Sequence, residues 1–336
     1  MLAPGRSADR RGGVLRAAPM RYVVFSDSGP RALNTVLTDP LDHPFALDRT
    51  QPYLRWRERK LARFPRRIED LIVEVRDPRN LTESEAGQIQ RVCAAANMAV
   101  YASPLTGMSD KEIARRLGLR LGLTRLHANP LADEDGISSL EAVPEKSALG
   151  FIPYSNRRLL WHTDGYYNAP GERIRSFILH CVRPAATGGE NRVLDPEIAY
   201  ILLRDADPEY VRALFAPDAM TIPAHAVNGA ELRPAQTGPV FSVDAGALHM
   251  RYTARTRSIE WHSDDTTRAA VQFLSRTLGA DSPYVFTLRL AGGHGLVCNN
   301  VLHNRSTFAD DPAHGLKRLV YRARYSDRIA TGSAAL

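Results

Sequence analysis

From about residue 123 onward the sequence alternates short runs of β-branched and aromatic residues with turns rich in Gly and Pro. Short strands that turn back every few residues are typical of a β-sandwich or a β-barrel. We therefore predict a mainly β fold with flanking helices (α+β), built on an eight-stranded double-sheet roll that carries its helices on one outer face. The predicted strands are residues 175–182, 239–243, 248–252, 284–290, 296–302 and 318–325.

Two helices are predicted ahead of the roll from their N-terminal capping boxes. Thr82 with Glu85 forms one Ser/Thr-x-x-Glu pair, Ser109 with Glu112 forms another, and apolar residues follow each pair at helical spacing. We expect both helices to pack on a sheet, within a scaffold that covers residues 20–122. The same scaffold is predicted to contain strands at residues 22–25 and 70–75 and a helix at residues 53–64.

Two further helices are expected as insertions among the strands of the roll domain, which is predicted to cover residues 123–330. Asp195 and Asp207 each precede a Pro-Glu pair. This order gives an N-cap, a proline at the first helical position and a carboxylate near the positive helix end. Residues 1–19 are poor in apolar side chains and are expected to be a disordered leader, or to be untranslated if Met20 is the true start.

Composition argues against several classes of protein. The 336-residue chain has 44% hydrophobic residues but no apolar run of about 20 residues that could span a membrane. The N-terminus lacks the apolar block of a signal peptide, so the cytoplasm is the expected location. The net charge of +7 is concentrated in residues 1–67, but no nucleic-acid-binding signature accompanies it, so nucleic acid is not an expected partner. The cysteines are far apart and are expected to be buried apolar residues outside any disulfide: Cys93, Cys181 and Cys298.

A His-Thr-Asp segment indicates a metal site. In an extended segment the side chains of His162 and Asp164 leave the backbone on the same side, so their ligand atoms can converge on one point. A third ligand must come from another strand, and His303 is placed to supply it. Two histidines and one carboxylate with the opposite face open are the ligand set of non-haem Fe(II) oxygenases.

A His-x-Asp pair alone is a weak signal, because the chain contains a second copy at His262 and Asp264. The residues behind this second copy, 265–274, are predicted to be helical, and Asp264 is placed to cap that helix. We therefore assign the second copy to structure. Gly165 follows the first copy without a helix start, so the carboxylate of Asp164 has no capping role. Three other histidines are expected to be structural: His180, His225 and His294.

The last predicted strand carries several arginines on one face. Alternation along a strand places Arg318, Val320, Arg322 and Arg324 on the same side. An edge strand that exposes its charges to water is one interpretation. A guanidinium inside a roll is costly unless it meets an anion, and its planar fork suits a carboxylate. Arg318 follows His303 at fifteen residues, and this pairing favours an anion-binding interior.

Six short sequence motifs, taken in order between about residues 155 and 327, carry a family resemblance. They are His162-Thr163-Asp164, Pro170-Gly171, Leu179-His180-Cys181, Thr187-Gly188-Gly189-Glu190-Asn191, His303-x-Arg305 and Arg318. The set resembles the Fe(II)/2-oxoglutarate dioxygenases of the taurine dioxygenase superfamily, and within it the gamma-butyrobetaine hydroxylase branch. The resemblance implies a double-stranded β-helix (jelly-roll) core. It also implies Fe(II) on His162, Asp164 and His303, with the distal carboxylate of 2-oxoglutarate on Arg318.

The resemblance extends to residues that contact the cosubstrate and the substrate. Asn191 occupies the position that steadies 2-oxoglutarate in taurine dioxygenase, where that enzyme has a hydroxyl side chain. Arg322, the second arginine of the strand, is implied to meet the anionic end of the substrate. Tyr166 and Tyr167 directly follow the first two ligands, and we expect at least one ring to face the same space, where it could pack on a methylene chain or a cation.

The implied reaction consumes O2 and 2-oxoglutarate, releases succinate and CO2, and hydroxylates a small polar metabolite such as an amino acid, a betaine or an amine. The ligands alone leave two alternatives open. One is a zinc or manganese hydrolase that uses the same ligands to activate water, and the other is a catalytically silent sensor that binds 2-oxoglutarate. Arg318 argues against the hydrolase, which has no need of a buried carboxylate-binding arginine beside the metal. A homo-oligomer is also left open.

Overall fold

The computed structural model describes residues 43–128, 133–148, 150–227 and 230–329. The predicted leader at residues 1–19 and the predicted strand at residues 22–25 lie outside the described residues. The division into a scaffold over residues 20–122 and a roll over residues 123–330 stays a prediction.

Helices account for seven segments of the described chain, and none of these is long and apolar enough to cross a membrane. They are α1 (Thr50–Arg63), α2 (Glu83–Ala96), α3 (Glu112–Arg120), α4 (Pro144–Ala148), α5 (Pro196–Ala206), α6 (Pro208–Phe215) and α7 (Asp265–Gly279). The predicted helix at residues 53–64 corresponds to α1.

Strands in the described chain are short, and most have two to five residues. They are β1 (Ile72–Glu74), β2 (Met98–Ala102), β3 (Ser138–Leu140), β4 (Leu159–His162), β5 (Ser176–Arg183), β6 (Thr187–Gly188), β7 (Asn191–Leu194), β8 (Met220–Ile222), β9 (His225–Val227), β10 (Ala230–Arg233), β11 (Gln236–Gly238), β12 (Phe241–Asp244), β13 (Ala247–Met250), β14 (Glu260–Trp261), β15 (Phe286–Leu288), β16 (Gly295–Cys298), β17 (Leu302–Arg305), β18 (Phe308–Ala309) and β19 (Leu319–Tyr325).

Two larger sheets form the centre of the fold. The six-stranded sheet has the order β1-β2-β16-β5-β19-β3, and the four-stranded sheet has the order β15-β7-β17-β4. Strands β4, β5 and β7 alternate between the two sheets along the chain, and so do β15, β16, β17 and β19. Apart from the parallel pair β1 and β2, the strand pairs in these sheets are antiparallel. A chain that passes repeatedly from one sheet to the other builds two facing layers around a shared interior.

The interior between the two sheets holds the main hydrophobic core. Along β5, Phe177 and Leu179 point into this core, whereas Ile178 points to a second core on the other face of the six-stranded sheet. Val193 of β7 and Leu302 of β17 reach the main core from the four-stranded sheet. The alternation follows from the two-residue period of a strand. The three cysteines are buried and free, as predicted.

Five of the seven helices in the described chain form two groups, which corrects the prediction that they all lie on one outer face. In the first group, α2 packs on β1 and β2 and α3 packs on β5 and β19, and Ile89 and Leu117 fill the second core. In the second group, α5, α6 and α7 pack on one another and on the hairpin of β12 and β13. Ile198 and Leu214 of this second group join the main core.

Of the caps predicted for α2, α3, α5 and α6, three are confirmed and one is wrong. Thr82 Oγ1 accepts a hydrogen bond from the Glu85 backbone N–H at 3.2 Å, and Asp195 and Asp207 cap α5 and α6. Ser109 does not cap α3, because its hydroxyl lies 2.8 Å from the Tyr321 hydroxyl. The helix itself begins close to where the pattern placed it.

One predicted strand, residues 296–302, is in fact two strands in different sheets. β16 ends at Cys298 in the six-stranded sheet, and β17 begins at Leu302 in the four-stranded sheet. Between them Asn300 has a φ of 53°, a left-handed conformation that Asn adopts more readily than most residues. The chain changes sheet at this turn, three residues before His303.

Candidate metal centre

The sheet register brings the two histidines of the predicted triad together. β4 and β17 are antiparallel neighbours in which His162 lies directly opposite His303, and their ring centroids are 4.2 Å apart. Asp164 stands in the turn two residues beyond His162. Its Oδ1 lies 3.5 Å from His162 Nε2 and 3.8 Å from His303 Nε2. Candidate ligand atoms of the three side chains all lie within 4.8 Å of one another.

Backbone contacts orient both imidazoles as metal ligands. His162 Nδ1 lies 2.8 Å from Leu160 O, and His303 Nδ1 lies 2.9 Å from Val301 O. Since a carbonyl oxygen can only accept, each Nδ1 carries the hydrogen and each Nε2 keeps its lone pair for the centre. Burial, assisted by the neighbouring His162, lowers the pKa of His303 to about 3. His303 is therefore neutral at physiological pH, the form that binds a metal.

Asp164 supplies one buried carboxylate to the centre. Burial raises the pKa of Asp164, but the charge of Arg322, together with His162, His303 and Arg324, outweighs burial and holds the pKa well below its usual range. Arg322 Nη1 donates to Oδ1 at 3.3 Å and also lies 3.1 Å from Oδ2. That second approach does not have hydrogen-bond geometry, so Oδ2 is buried without a hydrogen-bond partner in the described structure.

The donor set fits a divalent non-haem iron. Two imidazole nitrogens and one carboxylate oxygen, with a partnerless oxygen on that carboxylate, match the two-histidine, one-carboxylate arrangement. No other group of three or more His, Cys, Asp or Glu side chains in the described ranges is close enough to hold a metal ion.

Arg318 lies at the entrance to β19, beside the Gly188-Gly189 turn. It is 7% exposed and lines a small pocket together with Gly189, Asn191 and Cys181. Its side chain donates to Leu140 O at 3.3 Å, and among the described residues no carboxylate lies within ion-pair distance of it. Burial lowers the pKa of Arg318. A buried guanidinium without a carboxylate partner provides a site for an anion.

Asn191 is the second predicted cosubstrate residue, and the structure places it beside Arg318 in the same pocket. It is the first residue of β7 and is buried. Its Nδ2 has one long contact, 3.4 Å to Gly189 O. The amide therefore retains hydrogen-bonding capacity toward the pocket.

Arg322 and the two tyrosines lie on the other side of the candidate ligands. The Tyr166 ring meets the His162 ring at 6.4 Å between centroids, and Tyr167 packs edge-on against Tyr166 at 5.1 Å. Arg322 is buried and, as described above, contacts Asp164, while its Nε has no hydrogen-bond partner in the described structure. Both tyrosines are partly buried against the main core.

Sequence reasoning assigned no role to two arginines that contact Tyr167. Arg324 Nη1 lies 3.3 Å from the Tyr167 hydroxyl. Arg233, from β10, places its guanidinium carbon 5.3 Å from the Tyr167 ring centroid and donates to the Tyr167 carbonyl. The strand pattern had put Arg324 on the correct face, whereas no local signal marked Arg233.

The second His-x-Asp copy has the structural role that the sequence predicts. The Asp264 side chain accepts a hydrogen bond from the Thr267 backbone N–H at 2.8 Å and caps α7. His262 lies 3.3 Å from Asp218, and both side chains are largely exposed. His180, also expected to be structural, is buried and pairs with the Tyr101 hydroxyl at 2.8 Å.

Comparison with known proteins gives matches to one family and its fold. The model of the family described as taurine catabolism dioxygenase TauD, TfdA matches residues 60–323. A uridine-5'-phosphate dioxygenase from Amycolatopsis sp. is 32% identical over 251 residues, which cover 70% of this chain and 84% of that protein. A protein of the same name from Streptomyces sp. is 31% identical over 176 residues, covering 50% of this chain and 61% of that protein.

Two solved structures show the fold. Asparagine oxygenase in complex with Fe(II), 2S,3S-3-hydroxyasparagine and succinate aligns with a TM-score of 0.55 at 17% identity, covering 72% of this chain and 78% of that one. The non-heme iron oxygenase OrfP in complex with Fe and alpha-ketoglutaric acid aligns with a TM-score of 0.53 at 18% identity, covering 74% of this chain and 81% of that one.

Proposed function

Because the chain belongs to the taurine catabolism dioxygenase TauD, TfdA family, we propose that His162, Asp164 and His303 bind its Fe(II) and that Arg318 binds its 2-oxoglutarate. The protein is a non-haem iron dioxygenase that depends on 2-oxoglutarate. The observation that carries the residue assignment is the buried triad: its candidate ligand atoms lie within 4.8 Å of one another, both Nδ1 atoms contact backbone carbonyls, and Asp164 Oδ2 has no hydrogen-bond partner in the described structure. Membership of an oxidoreductase family argues against the hydrolase and sensor alternatives.

We propose that the two larger sheets are the two halves of a double-stranded β-helix. The alternation of successive strands between the sheets supports this interpretation. So does the placement of both histidines of the triad in the four-stranded sheet, with Arg322 on β19 and Arg318 directly before it in the sheet opposite. The candidate cosubstrate pocket would then lie between the layers.

When bound, Fe(II) with 2-oxoglutarate supplies the means to reduce O2 and oxidise a substrate C–H bond, with release of succinate and CO2. The residues of this chain have the remaining tasks. Arg318 would hold the distal carboxylate of 2-oxoglutarate by a charge-assisted pair, and Asn191 would donate to it from the same pocket. Arg322 keeps Asp164 ionised, and the buried surroundings of the triad exclude bulk water from the reacting atoms.

The charge around the two tyrosines favours an anionic substrate. Arg233 and Arg324 contact Tyr167, and Arg251 donates to the Tyr166 carbonyl at 2.8 Å. None of these three arginines has a carboxylate within ion-pair distance among the described residues. We propose that a substrate phosphate supplies the missing negative charge, bound between Arg233 and Arg324, with the free Nε of Arg322 as a further donor.

We therefore propose a nucleoside 5'-monophosphate as the substrate, with uridine 5'-phosphate as the first candidate. The two curated relatives carry the name uridine-5'-phosphate dioxygenase, and one of them aligns over most of its length. The aromatic rings of Tyr166 and Tyr167 beside the candidate ligands suit a planar base or the apolar face of a sugar.

The narrower sequence hypothesis, a gamma-butyrobetaine-like enzyme acting on an amino acid, betaine or amine, is not confirmed. The surroundings of Tyr167 weigh against an ammonium group there, because Arg233 already lies over the ring and Arg324 lies at the hydroxyl. A substrate cation at that point would meet two protein cations. One feature still supports an amino acid as the substrate: the buried Arg322 is a partner for its carboxylate.

Succinate production from 2-oxoglutarate tests this proposal. The purified protein with Fe(II) and ascorbate is given uridine 5'-phosphate, uridine, other nucleoside 5'-monophosphates, amino acids and betaines in separate reactions. We expect uridine 5'-phosphate to stimulate succinate release strongly and uridine to do so weakly, because uridine lacks the phosphate. Stimulation by an amino acid or betaine but by no nucleotide would refute the substrate proposal and leave the dioxygenase activity standing.

The Arg324→Leu variant tests the phosphate position. We expect its KM for uridine 5'-phosphate to rise roughly 10- to 150-fold, the worth of a shielded charge-assisted hydrogen bond. Uridine serves as the matched control, since its weak turnover should be unaffected by loss of a phosphate-binding arginine. Equal losses with both compounds would show that Arg324 acts on the fold and not on the phosphate.

A further inference from the structure

We propose that Asn300 is a positioning residue that holds the backbone of Asp164 so that its carboxylate points at the metal. The inference rests on the proposed metal role of Asp164. Asn300 lies in the turn between β16 and β17, is 2% exposed, and had no place among the residues that the sequence indicated.

The side chain of Asn300 closes a ring of hydrogen bonds with Asp164. Its Oδ1 accepts from the Asp164 backbone N–H at 2.8 Å, and its Nδ2 donates to the Asp164 carbonyl at 3.0 Å. Nδ2 also donates to the Ile174 carbonyl at 2.6 Å. The amide thus binds both backbone polar groups of one residue and ties that residue to the segment leading into β5.

Asp164 needs this support because the sheet does not provide it. β4 ends at His162, and the next backbone bond, from Thr163 N–H to Tyr252 O at 3.0 Å, is the last tie to neighbouring backbone before the turn. A metal ligand in a turn is held less firmly than one in a strand, unless side chains fix its backbone. Asn300 does for Asp164 what strand pairing does for His162.

The chemistry of the position selects asparagine. The φ of 53° at Asn300 disfavours most side chains but is tolerated by Asn, Asp and Gly. An aspartate could accept from the Asp164 N–H, but it could not donate to the two carbonyls. Glycine would adopt the backbone conformation and provide neither interaction. Asparagine therefore meets both demands, and the same turn leads directly to His303.

The neighbouring residue fixes the turn from its other side. Asn299 Nδ2 donates to Asn97 Oδ1 at 3.1 Å, and Asn299 Oδ1 accepts from the Ile329 N–H at 3.0 Å. Asn97 in turn donates to Asp195, which is fully buried. Asn300 thus projects from a turn that is itself anchored in a buried polar network, and its contacts to Asp164 are made from a rigid support.

Asn97 also provides a matched control. It has a φ of 56° and buried amide hydrogen bonds, like Asn300, but its contacts are to Asp195, Asn299 and Arg328 and not to the candidate ligands. A glycine at Asn97 removes an amide from the same kind of backbone position. It should loosen the fold and affect the direction of the Asp164 carboxylate less than a change at Asn300, because Asn97 reaches the turn only through Asn299.

The test is a titration with Co(II), a redox-stable probe, followed by its visible absorption on the full-length protein, together with thermal unfolding. We expect Asn300→Gly to raise the Kd for Co(II) roughly 10- to 100-fold, the usual effect of removing a group that orients a metal ligand. Asn300→Asp, which keeps the acceptor but not the donor, should give an intermediate Kd. Asn97→Gly should lower the Tm at least as much as Asn300→Gly does, but should raise the Kd for Co(II) clearly less.

Several outcomes would overturn the inference. One is unchanged Co(II) affinity in Asn300→Gly, or in Asn300→Asp should the glycine variant fail to fold. Another is a loss of affinity in Asn97→Gly equal to that in Asn300→Gly at the same loss of Tm, which would show general loosening. Failure of the unmodified protein to bind Co(II) would instead refute the metal role of the triad, so the two proposals fail in distinguishable ways.

Discussion

Replacing Arg318 by leucine should separate cosubstrate binding from metal binding. Arg318 is almost fully buried, makes one long side-chain hydrogen bond to Leu140 O, and lacks a carboxylate partner among the described residues. Its backbone N–H, which donates to Asp310 at 2.9 Å, is unaffected by the substitution. Its guanidinium carbon also lies 5.2 Å from the centroid of the Phe308 ring. 2-Oxoglutarate should lose its partner when the charge is removed.

The expected loss of 2-oxoglutarate affinity follows from the free energy of a charge-assisted hydrogen bond that is shielded from water. About 1.5 to 3 kcal/mol corresponds to a rise of roughly 10- to 150-fold in the 2-oxoglutarate concentration needed for half-maximal succinate release. The free energy of unfolding of the protein without ligands should not fall. Burying a cation without an anionic partner is costly, so leucine at this position removes that cost.

Arg305→Leu is the matched control. Arg305 is as deeply buried as Arg318, but its guanidinium donates to the carbonyls of Ser155 and Arg157 at 2.7 and 2.5 Å. Its loss should leave those carbonyls without a partner and lower the Tm, with little change in the 2-oxoglutarate requirement of the folded fraction. The assays are succinate release against 2-oxoglutarate concentration and the rise in Tm that 2-oxoglutarate produces. An unchanged 2-oxoglutarate dependence in Arg318→Leu would refute the assignment.

Three further predictions concern the candidate ligands, the second His-x-Asp copy and a buried histidine. The weak visible charge-transfer band expected on anaerobic addition of Fe(II) and 2-oxoglutarate should be present in His262→Ala and absent from alanine variants of His162, Asp164 and His303. Asp264→Ala should cost about 1 kcal/mol of unfolding free energy through loss of the α7 cap, measured by urea unfolding, with iron affinity unchanged. Burial lowers the pKa of His180 to about 4, whereas in the unfolded chain it is about 6.5. The unfolded state therefore binds the extra proton between those values, and stability should fall by up to about 3 kcal/mol as the pH drops from about 6.5 to about 4. Urea unfolding across that range should show a flatter dependence for His180→Gln, and equal slopes would count against this explanation.

Features that depend on local repetition could be predicted from the sequence. The strand at residues 318–325 was located closely, because its alternation of arginine and apolar residues extends over a whole strand that is buried on both faces. The helix caps at Asp195 and Asp207 were equally local, since an N-cap depends on the few residues that follow it. The choice of His162 over His262 rested on the same kind of evidence, the presence or absence of a helix behind the aspartate.

Features that depend on long-range contacts were missed. Ser109 and Glu112 have the spacing of a capping box, but the Ser109 hydroxyl pairs with Tyr321, which is 212 residues away in the chain. Residues 296–302 form an apolar run interrupted by two asparagines, and the run was interpreted as one strand although the asparagines mark a change of sheet. Asn300 gave no signal as a functional residue, because its role depends on contact with Asp164, 136 residues earlier in the chain.

Arg322 shows what the strand pattern predicts and what it does not. The pattern placed Arg318, Arg322 and Arg324 on one face, and the structure places all three in the interior between the sheets. What each arginine contacts is decided by the elements opposite: the Gly188-Gly189 turn at Arg318, Asp164 at Arg322, and Tyr167 at Arg324. At about 3.3 Å per residue, Arg318 and Arg324 leave the backbone roughly 20 Å apart. Under the proposed assignments, a single strand would therefore present cations in sequence to the cosubstrate, to the metal-binding carboxylate and to the part of the substrate farthest from the cosubstrate. Arg322, in the middle, contacts Asp164, so we propose Arg324 as the main partner of a substrate anion.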